Sequence, residues 1–129
     1  MLIRRSLTIL PLLLSPLLTN TVEADGDVSR GEQVFKKCKS CHSVKIGKNK
    51  AGPSLAGMVG RAAGTVPKYR YSKKGLNNAN WKWDEASLLG WLENPREWLK
   101  AKNGGRSKMA YRLKELEHRI NVIAYLKTK

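Results

Sequence analysis

Residues 36–45, KKCKSCHSVK, hold both cysteines of the chain, three positions apart, with a histidine directly after the second. A disulfide, a zinc site, a redox dithiol and covalently attached haem can all be built on a C-x-x-C spacing. If the preceding helix runs on through the motif, Cys38 and Cys41 share a face and His42 stands four positions from Cys38. A structural zinc takes four protein ligands, and only His118 is left to join these three. That residue sits between Glu117 and Arg119, where a solvated histidine is the plainer reading. A thioredoxin-like dithiol lacks its βαβ surroundings here, and neither it nor a disulfide gives His42 a task. Covalent haem uses all three residues: two thiols add to the porphyrin vinyl groups, and the adjacent imidazole reaches iron from one side.

The rest of the chain bears on this choice. Met1 to Arg5 carry two positive charges, Leu7 to Leu18 form an apolar run broken by Pro11 and Pro16, and Val22-Glu23-Ala24 ends the segment. This order predicts a secretory signal peptide over residues 1–24, with a single mature domain over 25–129 and a periplasmic location. The run is short for a membrane span, and its prolines weaken that reading further. A domain of this size has a limited core and often draws stability from a cofactor, metal or disulfide.

The formal net charge is +15, and its distribution is one-sided. From Gln33 to Trp83 there are twelve Lys or Arg and no Asp or Glu. A solvated surface accounts for many lysines, but a block of one sign makes a field that steers an acidic partner. Export argues against nucleic acid as that partner.

Asp27 is placed to cap a helix running through Val28, Gly31, Val34, Phe35 and Cys38. Residues 43–63, with Gly52-Pro53, read as loop, and so does the segment holding Pro67, Tyr69, Tyr71 and Gly75 to Asn80. Asp84 caps a second helix carrying Leu88, Trp91 and Leu92, which Pro95 is expected to stop. Residues 96–108, with Gly104-Gly105, read as irregular. A last helix runs from Leu113 to Lys127, with Leu116, Ile120, Ile123 and Lys127 marking one face. The expected class is all-α, a few short helices whose long loops wrap something the sequence does not encode. For a further iron ligand the mature chain offers Met58, Met109 and His118. Met58 reads as a core side chain, since methionine fills irregular apolar gaps. Met109 follows a polar loop and has less reason to be core. A thioether there favours ferrous iron and raises the potential.

From Gly26 to Lys127 the chain resembles the class I cytochromes c. The stretches that carry the resemblance are GDVSRGEQVFKKCKSCH, AGPSLAGMVGR, YRYS, WDEASLLGWLENP, SKMAY and VIAYLK, which occur in the family's order. The resemblance implies the cytochrome c fold around one haem c, bound through Cys38 and Cys41, with His42 and Met109 as axial iron ligands. It implies that the Pro53 carbonyl accepts from the ligand histidine, and that Arg61, Tyr71 and Trp83 hydrogen-bond the haem propionates. Gly31 and Phe35 would meet Val122 and Tyr125 where the first and last helices cross. Lys37, Lys39, Lys50 and Lys108 match or neighbour lysines around the exposed haem edge.

The implied function is that of an exported, monomeric, monohaem electron carrier and not an enzyme. Its partners would be acidic redox proteins, such as a cytochrome reductase complex and a terminal oxidase or reaction centre, met by transient docking at the membrane. A haem enzyme or sensor with an open distal iron site is the alternative. The chain departs from the family on the methionine side. Trp91 stands where the family has a tyrosine, so an N–H donor replaces a hydroxyl. REWLKAKNGGRSKM replaces a short Pro-Gly-Thr approach. These departures lead to the expectation that Met109 is easily displaced from ferric iron, with Lys100, Lys102 or Lys108 as the replacing ligand at alkaline pH.

Overall fold

The computed structural model describes residues 25–129; the expected signal peptide over 1–24 lies outside the described residues. Among the described residues there are four α-helices: α1 (Val28–Phe35), α2 (Glu85–Glu93), α3 (Pro95–Asn103) and α4 (Leu116–Leu126). A short 3-10 turn spans Leu76–Asn78. The one piece of β pairing among the described residues is an isolated bridge between Ala62 and Lys82. The chain is therefore all-α.

α1 begins where the Asp27 carboxylate accepts the Arg30 backbone N–H at 2.8 Å. That bond satisfies one of the donors a helix start leaves without a partner. α1 then lies across α4. Gly31 is buried at the crossing, where an added Cβ would collide with the Asn121 carbonyl oxygen and come within 2.8 Å of Tyr125 Cβ. Phe35 stacks in a tilted contact on Tyr125 at 5.3 Å between centroids. The Asp27 N–H donates to Asn121 Oδ1 at 2.8 Å, and Arg30 Nη1 donates to Glu117 Oε1 at 2.7 Å. Backbone-to-backbone closeness leaves no flexible group to yield. Gly31→Ala is accordingly expected to cost roughly 1–3 kcal/mol and to lower the thermal midpoint by about 4–8 °C per kcal/mol in a domain of this size. Calorimetry of the holoprotein checks this; an unchanged midpoint would mean that the crossing is loose.

α4 buries a different stripe from the one expected. Arg119, Asn121, Val122, Ile123, Tyr125 and Leu126 are buried, while Leu116 is exposed. Lys127 lies at the surface, where its Nζ donates to Glu85 Oε2 at 2.7 Å. The expected face, drawn through Leu116, Ile120, Ile123 and Lys127, passed over Arg119. Its Nη1 donates to the carbonyls of Leu113 and Lys114, at 2.9 Å each, which compensates the burial of a charged group.

The larger correction concerns Pro95. α2 does end just before it, at Glu93, but Pro95 also opens α3, and eight residues expected to be irregular, 96–103, are helical. Asn94 ends α2 and starts α3, its side chain accepting the Glu97 N–H at 3.3 Å. Proline at a first helical position loses nothing, because its missing N–H would have had no partner there. Gly104 closes α3 in the left-handed region, with φ +69° and its N–H donating to Lys100 O at 2.9 Å. Leu99 of α3 is 0 % exposed. Beside it Trp81, Trp83, Trp91 and Trp98 pack ring against ring, most of them edge to face, with centroids 5.2 to 6.0 Å apart. α3 thus fastens the segment before Met109 to the core.

Candidate haem site

α1 stops at Phe35, and tight turns carry the chain through the motif. The Cys38 N–H donates to Phe35 O at 2.8 Å, and Cys41 and His42 both donate to Cys38 O, at 3.1 and 2.9 Å. These turns bring Cys38, Cys41 and His42 to the wall of one cavity of about 420 Å³. Leu55 and Met58 line it from the following loop, Leu88, Trp91 and Leu92 from α2, and Val122 and Leu126 from α4. Met109, Ala110 and Tyr111 complete the lining from the segment after α3. The volume falls within the roughly 300–1,000 Å³ usual for cofactor and small-molecule sites.

The His42 ring is held from behind. Its Nδ1 lies 2.8 Å from Pro53 O, the contact a ring N–H makes with a carbonyl. This assigns the proton to Nδ1 and leaves the Nε2 lone pair for a metal. Gly52 lies so close that an added Cβ would strike the ring at Cε1, and its own N–H donates to Cys41 O at 2.7 Å. Burial holds the imidazole below its ordinary pKa; the Pro53 carbonyl opposes that shift and the charge of Lys50 adds to it. The neutral, metal-binding form is the result.

The two thiols are free of each other. Burial, reinforced by the neighbouring Cys41, pushes the Cys38 thiol up to about 11, against the lowering effect of Lys37. A redox dithiol needs the opposite, a nucleophilic cysteine with a depressed pKa. Zinc fares no better: among the described residues no three His, Cys, Asp or Glu side chains gather as a set of metal donors. His118 is far from such a role, half-exposed on α4 and 3.6 Å from Glu115.

Cys38, Cys41, His42 and Met109 therefore share one wall system, as do two groups the sequence treated otherwise. Met58 is buried and also lines the cavity. Tyr69, which had been given no role, lines both this cavity and a smaller one of about 60 Å³ beside Met109. Its hydroxyl donates to Ala51 O at 2.8 Å and its ring meets Tyr71 edge-on at 4.8 Å. The alternation in YRY carried that signal, since it puts both tyrosines on one side of an extended segment.

Pro53, Tyr71 and Trp91 line the smaller cavity, and the Tyr71 hydroxyl accepts the Val66 N–H at 3.2 Å. Arg61 and Trp83 line neither. Arg61 donates to Ala56 O at 2.9 Å and Ser54 O at 3.4 Å, while Trp83 is buried in the tryptophan cluster. Lys108 is engaged as well: its Nζ donates to Arg70 O at 3.0 Å and lies 5.8 Å from the Tyr69 ring centroid.

These residues fit a haem. The cavity is apolar, two thiols and an imidazole open onto it from one short motif, and a thioether enters from a different segment. A family model described as cytochrome c matches residues 28–129. Cytochrome c of Euglena viridis is 40% identical over 105 residues, covering 80% of this chain and 97% of that protein. Cytochrome c2 iso-2 of Rhodospirillum centenum is 37% identical over 115 residues, covering 80% of this chain and 95% of the relative. The solved structure of cytochrome c2 from Rhodospirillum centenum superposes with a TM-score of 0.73 at 36% identity, covering 80% of this chain and 98% of that one. Cytochrome cH from Methylobacterium extorquens gives a TM-score of 0.70 at 35% identity, covering 81% of this chain and 100% of that one. The chain thus belongs to the cytochrome c family, as a class I cytochrome c with one covalently bound haem c.

Proposed function

We propose that this monohaem electron carrier is exported to the periplasm and shuttles single electrons, as a monomer, between larger redox complexes. The observation that carries the reading is the convergence of Cys38, Cys41, a carbonyl-held His42 and Met109 on one apolar cavity. Cys38 and Cys41 would hold the haem covalently, and His42 and Met109 would supply the ligands to its iron. The bound haem supplies a one-electron couple at iron. Everything else falls to the chain. The Pro53 carbonyl keeps the proton on His42 Nδ1 and fixes the ring's orientation. Leu55, Leu88, Leu92, Val122 and Leu126 exclude water, and the Met109 thioether favours the ferrous state. Tyr71, Arg61 and Trp83 are assigned to the propionates, which need donors to offset their desolvation.

The basic block serves the encounter. Lys37 and Lys108 line the cavity, and Lys50 Nζ donates to Lys39 O at 2.6 Å, which draws Lys50 toward the cysteine motif. These four lysines present the haem edge to acidic partners such as a cytochrome reductase and a terminal oxidase or reaction centre. Opposite fields of this kind raise the association rate more than the affinity.

Two measurements test the proposal. Absorption spectra of the oxidised and reduced protein should be those of a low-spin haem with sulfur and nitrogen ligands. A five-coordinate spectrum would favour the rival reading, a haem enzyme or sensor with an open site. The second-order rate of electron transfer to an acidic partner should fall by roughly tenfold to a thousandfold as salt is raised, since the screening length shortens to about 3 Å near 1 M. A rate indifferent to salt would separate the positive field from electron transfer.

A further inference from the structure

The paired glycines after α3 build a second feature, away from the cysteine motif. Residues 73–75 and 78 on one side and 103–106 on the other line an open groove of about 430 Å³. Its charged lining is Lys73, Lys74 and Arg106, all exposed and none in an ion pair among those found in the described residues; no acidic residue lines it.

The two walls are fixed to each other. The Arg106 N–H donates to Lys74 O at 2.5 Å. Gly105 permits this approach, because an added Cβ there would lie 2.6 Å from the same carbonyl oxygen. Gly104, at φ +69°, turns the chain out of α3 and along the groove.

Three of the groove's acceptors are already engaged. Lys73 O accepts from Asn78 Nδ2 at 3.0 Å, Lys74 O accepts from Arg106 N, and Asn103 Oδ1 accepts from the Gly105 N–H at 2.9 Å. The C-terminal end of α3 would add partial negative charge, but Lys100 and Lys102 lie in its last turn and oppose it. What faces a ligand is two ammonium groups, one guanidinium, the Asn103 amide NH2 and the second N–H of Asn78, whose first is given to Lys73 O.

We propose that this groove is a binding site for a phosphate-bearing polyanion, an ion with two or more phosphate groups or a phosphomonoester headgroup. Arg106 supplies a forked pair of N–H donors, Lys73 and Lys74 supply point charges, and Asn78 and Asn103 supply amide donors. The backbone walls are set before the ligand arrives, so the ordering that opposes binding falls on the exposed Lys73, Lys74 and Arg106 side chains. Arg106 and Gly75 also line the small cavity beside Met109, so an occupied groove touches the same segment that presents the methionine.

The test uses the ferric holoprotein and inorganic tripolyphosphate, followed by amide chemical shifts and by calorimetry at low salt. A saturable one-to-one response is expected, with the largest shifts at Lys74, Asn78, Gly104, Gly105 and Arg106. The double variant Lys74→Gln/Arg106→Gln keeps the backbone bond between the walls and should bind at least about tenfold more weakly, as loss of two charge-assisted contacts implies. The double variant Lys45→Gln/Lys48→Gln removes the same charge elsewhere and should bind like the parent. Equal losses in the two variants, or shifts centred on Lys37, Lys39 and Lys50, would overturn the proposal. They would leave only the general attraction of a basic protein for an anion. Vesicles of phosphatidylcholine with and without phosphatidic acid separate the sources. Retention on the acidic vesicles that the groove variant abolishes identifies a headgroup, and tripolyphosphate binding without such retention identifies a soluble ion. Failure of both arms overturns the site.

Discussion

A chain with both Cys38 and Cys41 replaced by alanine is expected to give up its haem to acidified acetone and to lose its folded structure with it. The size of the cavity sets the scale. Left unfilled, a void of 420 Å³ at about 24 cal/mol per Å³ costs roughly 10 kcal/mol. That is an upper bound, because water enters at the open side. It still compares with the roughly 5–15 kcal/mol by which a whole domain is usually stable. Phe35, Leu88, Val122 and Leu126, buried members of the core, all line that cavity and would lose their packing partner together. Either single variant should retain haem through the other thioether and stay folded. Far-ultraviolet circular dichroism after extraction is the measurement. Haem that stays with the double-variant polypeptide would remove both cysteines from the attachment. A haem-free chain with native helix content would show that the loops pack on one another.

Much of this was open to reading in the sequence, for reasons that lie in particular residues. The C-x-x-C-H spacing is local, and the turns that carry it are closed by backbone bonds within the motif itself. Asp27 and Asp84 act as caps where their position before an apolar run says they should. α3 was missed although its signals were present. Asn94, Pro95 and Glu97 form a helix start, and Gly104 a helix end. Reading Pro95 only as a breaker hid them. The buried stripe of α4 was misjudged because Leu113 and Lys114, expected to be helical, lie before the helix and turn their carbonyls to a buried arginine. The cavity itself could not be read from periodicity. Its walls come from six separate stretches, and Leu55 and Ala110 meet the motif only through the fold.

The same correction changes what to expect of Met109. A long polar approach with two adjacent glycines reads as loose, and looseness is what made ready displacement by a lysine plausible. In the fold most of that approach is helix. Leu99 is completely buried and lies against Gly105, whose added Cβ would stand 3.3 Å from Leu99 Cγ. The Arg106 N–H is bonded to Lys74 O, Lys108 Nζ to Arg70 O and the Leu113 N–H to Leu92 O, so the methionine segment is fastened on both sides. Lys108 is itself one of these fastenings. The parent protein should therefore keep the weak near-infrared band of sulfur-ligated ferric haem well into the alkaline range. Leu99→Ala removes the central fastening and should cost roughly 2–5 kcal/mol, lowering the thermal midpoint by more than about 10 °C. If part of that loss falls on the bound state of Met109, about 1.4 kcal/mol of it makes imidazole displace the sulfur at a tenfold lower concentration. The band should also vanish at a lower pH. Lys100→Ala, on the exposed side of α3, should change neither property. A Leu99→Ala protein that melts early yet holds the band and resists imidazole like its parent would show that α3 stabilises the fold without governing the iron. A parent protein that loses the band only slightly above neutral pH would restore the looser picture drawn from the glycines.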